Sequence, residues 1–115
     1  VFDGCCGLRT YRLLYPLRTF LIVSGWGDET DIMAADWVTV LSHRPTLIGV
    51  SISPERYTHR LVSRHREFVV SAPSINMVDD VWIAGSMSGP DKLRHMSLAL
   101  IPSHTIRTPS IRGAL

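Results

Sequence analysis

Between Thr46 and Ser53 the chain reads TLIGVSIS, and this alternation constrains the fold more than any other stretch. Successive side chains of an extended strand point to opposite faces, so Ile48, Val50 and Ile52 share one face while Gly49, Ser51 and Ser53 share the other. One face suits a core. The other either meets solvent or leaves space for something that is not a side chain. The strand runs directly into Ser53 and Pro54, residues suited to the N-cap and first position of a helix, which predicts a helix from Pro54 to about Arg64. Tyr57, Leu61 and Val62 form its apolar side, and Arg56, Arg60 and Arg64 recur at four-residue spacing on another.

The flanking segments have the same short, β-rich character. FLIVSGW, Phe20 to Trp26, reads as a buried strand closed by Gly25 and Gly27, with GDET as the loop that follows. Asp31 to Ser42 reads as one further extended segment, and Glu67 to Ala72 as another that Pro73 ends. Ser74 is placed to cap a helix through Ile75, Val78, Val81 and Trp82. Gly85 to Pro90 is a loop, Asp91 to about Met96 a short third helix, and the stretch from Ile101 is extended around Pro102 and Pro109. Residues 1–10 show no periodicity and read as an irregular tail ahead of a domain spanning 11–115. Short strands alternating with single helices predict an α+β fold with a mainly antiparallel barrel or sheet.

A chain of 115 residues with a net charge of +2 suits one domain and gives little reason to expect a nucleic-acid or membrane partner. Cys5 and Cys6 are adjacent, about 3.8 Å apart across a trans peptide, short of the roughly 4.4 Å at which disulfides begin. They are not expected to bridge each other. That points to a reducing compartment, with the cytoplasm as the default. No apolar run approaches the roughly 20 residues of a membrane helix.

Several motifs fail on inspection. GSMSG, Gly85 to Gly89, has Met87 where a nucleophile elbow needs serine. The five histidines include no pair at zinc-helix spacing, so no metal site is expected. There is no Walker loop and no G-x-G-x-x-G, hence no nicotinamide-binding Rossmann unit. Asp79 and Asp80 would point about 100° apart on a helix and are read as surface residues, not a carboxylate pair.

Three pieces do carry chemistry. In DIMAADW, Asp31 to Trp37, the small Ala34 and Ala35 leave backbone groups uncovered beside an indole, an arrangement suited to a flat ring with a polar edge. In SPERYT, Ser53 to Thr58, two hydroxyls and an arginine sit at a helix start, where free N–H groups favour a phosphate. SMSGPDK, Ser86 to Lys92, is a polar loop carrying the only lysine. Each piece also has a plainer reading. Trp37 could be a core residue, Ser53 and Pro54 a bare helix cap, Arg56 part of a solvated face, and Lys92 a surface charge.

Taken in order, R-x-L-x-P, D-I-M-A-A-D-W, R-P, S-I-S-P-E-R-Y-T, E-F-V-V-S-A-P and S-G-x-D-K resemble the flavin reductase-like (flavoredoxin-type) family from Tyr11 to Leu115. That family typically reads N-x-M-T/A-x-x-W, P-P, R-Y-T, E-F-V-V-N-x-P and S-G-R-x-x-D-K. The resemblance implies an FMN-binding split β-barrel of Greek-key type with short flanking helices, usually a homodimer with flavin near the subunit interface. It implies that Trp37 contacts the ring, that Arg56 and Thr58 with the strand serines Ser51 and Ser53 hold the phosphate, and that Lys92 approaches the flavin. Asp31, Met33, Ala34, Ala35, Asp36 and Ser88 complete the expected cofactor-binding set, and no side chain is assigned as catalytic. Asp31 stands where the family usually has asparagine, and a carboxylate, unlike an amide, only accepts. Family members also continue into further strands, so the resemblance implies a barrel incomplete at its C-terminal end. The implied function is an NAD(P)H-linked flavin or ferric reductase passing electrons through FMN between small-molecule donors and acceptors. A non-enzymatic FMN electron carrier and an interaction module without flavin are the alternatives.

Overall fold

A computed structural model describes residues 7–115; Cys5 and Cys6 lie outside the described residues. A 3-10 helix, Gly7–Leu14, crosses the expected boundary between tail and domain at residue 11. Strand β1, Phe20–Ser24, is the centre of the fold. Its run FLIVS does not alternate because both of its faces are covered: Leu21, Ile22 and Val23 have no exposure. Each such side chain contributes about 1.5–3 kcal/mol through burial.

On one side β1 pairs antiparallel with β2, Asp31–Ala35, and on the other with β5, Phe68–Ser71, giving the order β2-β1-β5. The register sets Leu21 opposite Ala34, Val23 opposite Ile32 and Ser24 opposite Asp31. Leu21, Val23 and Ile32 therefore share a face, and they form the core with Met77, Ala84 and Ile111. Ile22, Ser24 and Asp31 share the opposite face. Gly25 then turns the chain at φ +72°, where an added Cβ would overlap the Glu29 carbonyl oxygen.

The extended segment expected from Asp31 to Ser42 breaks at Asp36 and Trp37. Its second half, β3 (Val38–Ser42), leaves the first sheet and pairs with β4 (Leu47–Val50) in a hairpin of its own. Two bonds hold this corner: the Thr19 hydroxyl donates to Asp36 Oδ1 at 2.7 Å, and the Ser51 N–H donates to the Trp37 carbonyl at 2.9 Å. The hairpin register slips at Leu41, and a Cβ on Gly49 would lie 2.9 Å from Leu41 Cδ1. The space foreseen beside Gly49 is thus taken by a leucine that the bulge swings over. Ile48, placed on a core face by its alternation, remains 48 % exposed.

Helix α1 spans Tyr57–His65, three residues later than its expected start. Ser53 to Arg56 form a β-turn instead, closed by Arg56 N–H to the Ser53 carbonyl at 3.0 Å. Proline fits the second position of such a turn as well as it fits the first turn of a helix, and here the turn prevails. After β5, a 3-10 turn (Ile75–Met77) leads into α2, Val78–Ser86. Met77 and Ala84 meet the core, with Val81 packed against it, while Ile75, Val78 and Trp82 face solvent. Asp80, read as a surface residue, is buried: its carboxylate accepts from the Ser97 N–H at 2.7 Å and hydroxyl at 3.0 Å. A 3-10 helix, Pro90–His95, occupies the place of the expected third helix. Short strands β6 (Leu100–Ile101) and β7 (Ser110–Ile111) pair antiparallel, and Ala72 exchanges both main-chain bonds with Leu115. Among the described residues no helix is long and apolar enough to cross a membrane.

Glu67 fastens the segment before β7 to the start of β5. Its Oε1 accepts from the Thr108 N–H at 2.7 Å and the Thr108 hydroxyl at 3.0 Å. The Thr108 N–H is the main reason its carboxyl is held below the ordinary value of 4.5; burial opposes this, while the Thr108 hydroxyl and Arg107 assist. A carboxyl depressed on folding adds stability above its unfolded pKa and loses that contribution as pH falls through the folded pKa. Urea unfolding between about pH 6 and pH 3 should therefore show a steeper acid loss for the wild type than for Glu67→Gln. Parallel curves would place the acid sensitivity elsewhere.

Candidate functional site

The start of β2, the first turn of α1 and the 3-10 helix at Pro90–His95 converge on one buried carboxylate. Asp31 has no exposure, and its Oδ2 accepts the Thr58 hydroxyl proton at 2.6 Å. Lys92 Nζ stands 3.1 Å from Oδ1, with its side chain only 4 % exposed. That contact is an ion pair without hydrogen-bond alignment, so Oδ1 keeps an unmet lone pair. The neighbouring Ser24 hydroxyl, Asp31's cross-strand partner, is also buried without a partner. Residues 27 and 61 positions from Asp31 thus meet it in one polar knot that the three motifs do not disclose separately.

Beside this knot lies a cleft of about 720 Å³. Met33 and Ala34 of β2, Ser53, the α1 residues Tyr57, Thr58 and Arg60 with the preceding Arg56, the α2 end at Ala84 and Gly85, and the loop Met87 to Pro90 with Lys92 line it; Glu55 is its acidic member. The cleft thus combines two guanidinium groups, the orphan N–H groups of a helix start and a wall of small side chains. Its volume falls within the range of about 300–1,000 Å³ usual for cofactor sites. Among the described residues no group of His, Cys, Asp and Glu is placed to hold a metal ion.

Of the twelve expected binding residues, Met33, Ala34, Ser53, Arg56, Thr58, Ser88 and Lys92 line this cleft. Asp36, Trp37 and Ser51 instead border a second, more open cleft of about 500 Å³, with Leu14, Leu17, Val38, Thr39, Gly49 and Val50. Trp37 is 50 % exposed there and meets Tyr11 edge-on at 5.5 Å. Asp31 and Ala35 line neither cleft. Thr58 does border the cleft, but its single proton is committed to Asp31. The sequence places Arg60 only on a helix face; its four-residue spacing from Arg56 is the signal that points to this cleft. Arg64, third in that series, pairs instead with Glu29 at 2.8 Å, beside His65 and Trp26.

Thr58→Val keeps the shape of the side chain but leaves Asp31 Oδ2 without its donor. Stability should fall by about 1–3 kcal/mol, read by urea unfolding at neutral pH. An unchanged midpoint would mean that this bond adds nothing.

Residues 11–115 match the family described as flavin reductase like domain. An uncharacterized protein of Pyrococcus abyssi is 57 % identical over 108 residues, a match spanning 94 % of this chain and 63 % of that protein. An uncharacterized protein of Archaeoglobus fulgidus is 48 % identical over 101 residues, 86 % of this chain and 56 % of its own length. Among solved structures, flavoredoxin of Desulfovibrio vulgaris (Miyazaki F) superposes with a TM-score of 0.81 at 30 % identity, covering 97 % of this chain and 62 % of that one. An FMN-binding protein from Thermus thermophilus with bound p-hydroxybenzaldehyde gives 0.82 at 30 % identity, covering 99 % and 64 %. The chain therefore spans about three fifths of the length of these relatives. The expected α+β, mainly antiparallel split-barrel fold is borne out, and this chain belongs to the flavin reductase-like family.

Proposed function

We propose that the chain binds FMN and is part of an NAD(P)H-linked flavin or ferric reductase-type oxidoreductase. The observation that carries this reading is the first cleft, where Arg56, Arg60 and the start of α1 face small residues of β2 and α2. The arginines and helix N–H groups suit a phosphate monoester. Ala34, Ala84 and Gly85 leave room for a flat ring, and a Cβ added at Gly85 would already touch Ala34 Cβ at 3.6 Å. FMN, where bound, supplies hydride acceptance and electron transfer. The chain's own residues have the simpler tasks of binding and orienting it. Met33, Ala34, Ser53, Arg56, Thr58, Ser88 and Lys92 surround it in this reading. Trp37, Asp36 and Ser51 border the adjoining cleft, which suits a small-molecule electron donor or acceptor. No side chain is needed as acid or base.

The names of the similar solved structures support this reading. Flavoredoxin and the Thermus protein carry flavin in their names. Association as a homodimer belongs to the same proposal. Tyr11, Leu13, Leu14, Tyr15 and Trp37, and the hairpin residues Val40 and Leu41, expose apolar area that a second copy would cover.

Titration with FMN should give a protein-bound flavin band and altered ring fluorescence, and Arg56→Gln should weaken binding by about tenfold or more. Absence of binding would sink the proposal. NAD(P)H oxidation at steady state distinguishes a reductase from a carrier that only holds FMN. Sedimentation should find a dimer that Val40→Glu with Leu41→Glu dissociates; a monomeric wild type would remove the homodimer from the reading.

A further inference from the structure

Lys92 is the sole lysine and lies at the cleft, yet its ammonium is already matched to Asp31 at 3.1 Å with almost no exposure. Thr58 has one hydroxyl proton. An ionised carboxylate can only accept, so the proton in the 2.6 Å contact is Thr58's. Toward the cleft the hydroxyl is left with lone pairs, which repel a phosphate oxygen. Two donors that look suited to an anion in the sequence are thereby taken out of use by a third residue. Arg56 and Arg60 line the same cleft and, among the described residues, neither is paired with a carboxylate. The N–H groups of Tyr57 and Thr58 are orphaned by their place in the first turn of α1.

We propose that Asp31 is a positioning residue that withholds Lys92 and the Thr58 proton from the cleft, leaving Arg56, Arg60 and the α1 N–H groups to recruit the phosphate of its ligand. The idea rests on the FMN reading for the identity of the ligand, though not for the coupling between Asp31 and Lys92. A carboxylate here makes the cleft one positive charge poorer than an uncharged amide would. Selectivity then falls on the geometry of two arginines and a helix start, not on the reach of a flexible ammonium. In Asp31→Asn the amide keeps the shape of the side chain and can itself donate to Thr58. Lys92 loses its counter-charge, and an unpaired ammonium leaves the interior for the wet cleft.

The test is a double-mutant cycle over Asp31→Asn, Lys92→Met and the pair, with three readouts. Thermal unfolding should show each single variant less stable than the wild type and the pair more stable than the sum of the two losses. Inorganic phosphate and FMN should each bind Asp31→Asn about tenfold more tightly, with a stronger dependence on salt. Most of that gain should be lost in the pair, where only the Thr58 proton remains released, an outcome that a purely structural ion pair would not predict. The nitrogen resonance of the Lys92 ammonium should show a slowly exchanging, protected group in the wild type and lose that protection in Asp31→Asn. Additive stability losses, or a phosphate affinity that Asp31→Asn leaves unchanged, overturn the proposal. If FMN fails to bind any variant while phosphate still responds to Asp31→Asn, the cofactor reading falls and the positioning role stands.

Discussion

A carboxylate without solvent exposure has to be compensated, and the way Asp31 is compensated organises this molecule. Loss of hydration for such a group costs several kcal/mol unless a counter-charge and hydrogen bonds replace the water. Lys92 supplies the charge and Thr58 the proton. Because these residues stand on the 3-10 helix at Pro90–His95 and on α1, the demand of one side chain draws two separate elements onto the first residue of β2. Removing either partner leaves a buried charge half satisfied, so the three positions behave as a unit. The cleft owes its shape to the same knot, since its walls are the elements that the knot holds together.

The central sheet was legible because continuous apolar runs leave few options. FLIVS and FVVS, each bounded by glycine, proline or charge, became β1 and β5 within a residue or two of their expected limits. Elements that depend on tertiary partners were less legible. SPER can open a helix or form a turn with nearly equal local preference, and the turn appears. The split of Asp31–Ser42 rests on Thr19 and Ser51, neither of which signals it locally. Of the helical pattern Ile75, Val78, Val81 and Trp82, only Val81 packs against the core, beside Met77 and Ala84; the other three face solvent. A large side chain at helical spacing identifies a helix more safely than it identifies the buried face.

The candidate site was legible as a set of motifs and illegible as a geometry. Ordered resemblance brought Arg56, Thr58 and Lys92 into one expected site, and they do meet at one cleft. Which of their donors remain free depends on Asp31, whose partners lie far away in sequence. Trp37 shows the same limit from the other side: adjacency to Ala34 in a motif suggested a shared surface. The corner at Asp36 instead turns the indole toward the second cleft.

That corner links the two clefts physically. Met33 and Ala34 border one and Asp36 to Thr39 the other; Ser53 borders the first and Ser51 the second. Each cleft therefore takes part of its wall from the same two segments, on either side of a bend pinned by the Thr19 and Ser51 hydrogen bonds. A shift of the β3–β4 hairpin that alters the second cleft acts on the segments that carry Met33, Ala34 and Ser53 of the first. An isolated two-stranded hairpin is only marginally stable in water, and this one exposes Val40, Leu41, Leu47 and Ile48. Whatever covers that apolar surface would steady the corner as well. Covering the hairpin and steadying the corner that both clefts share are, on this geometry, one mechanical problem.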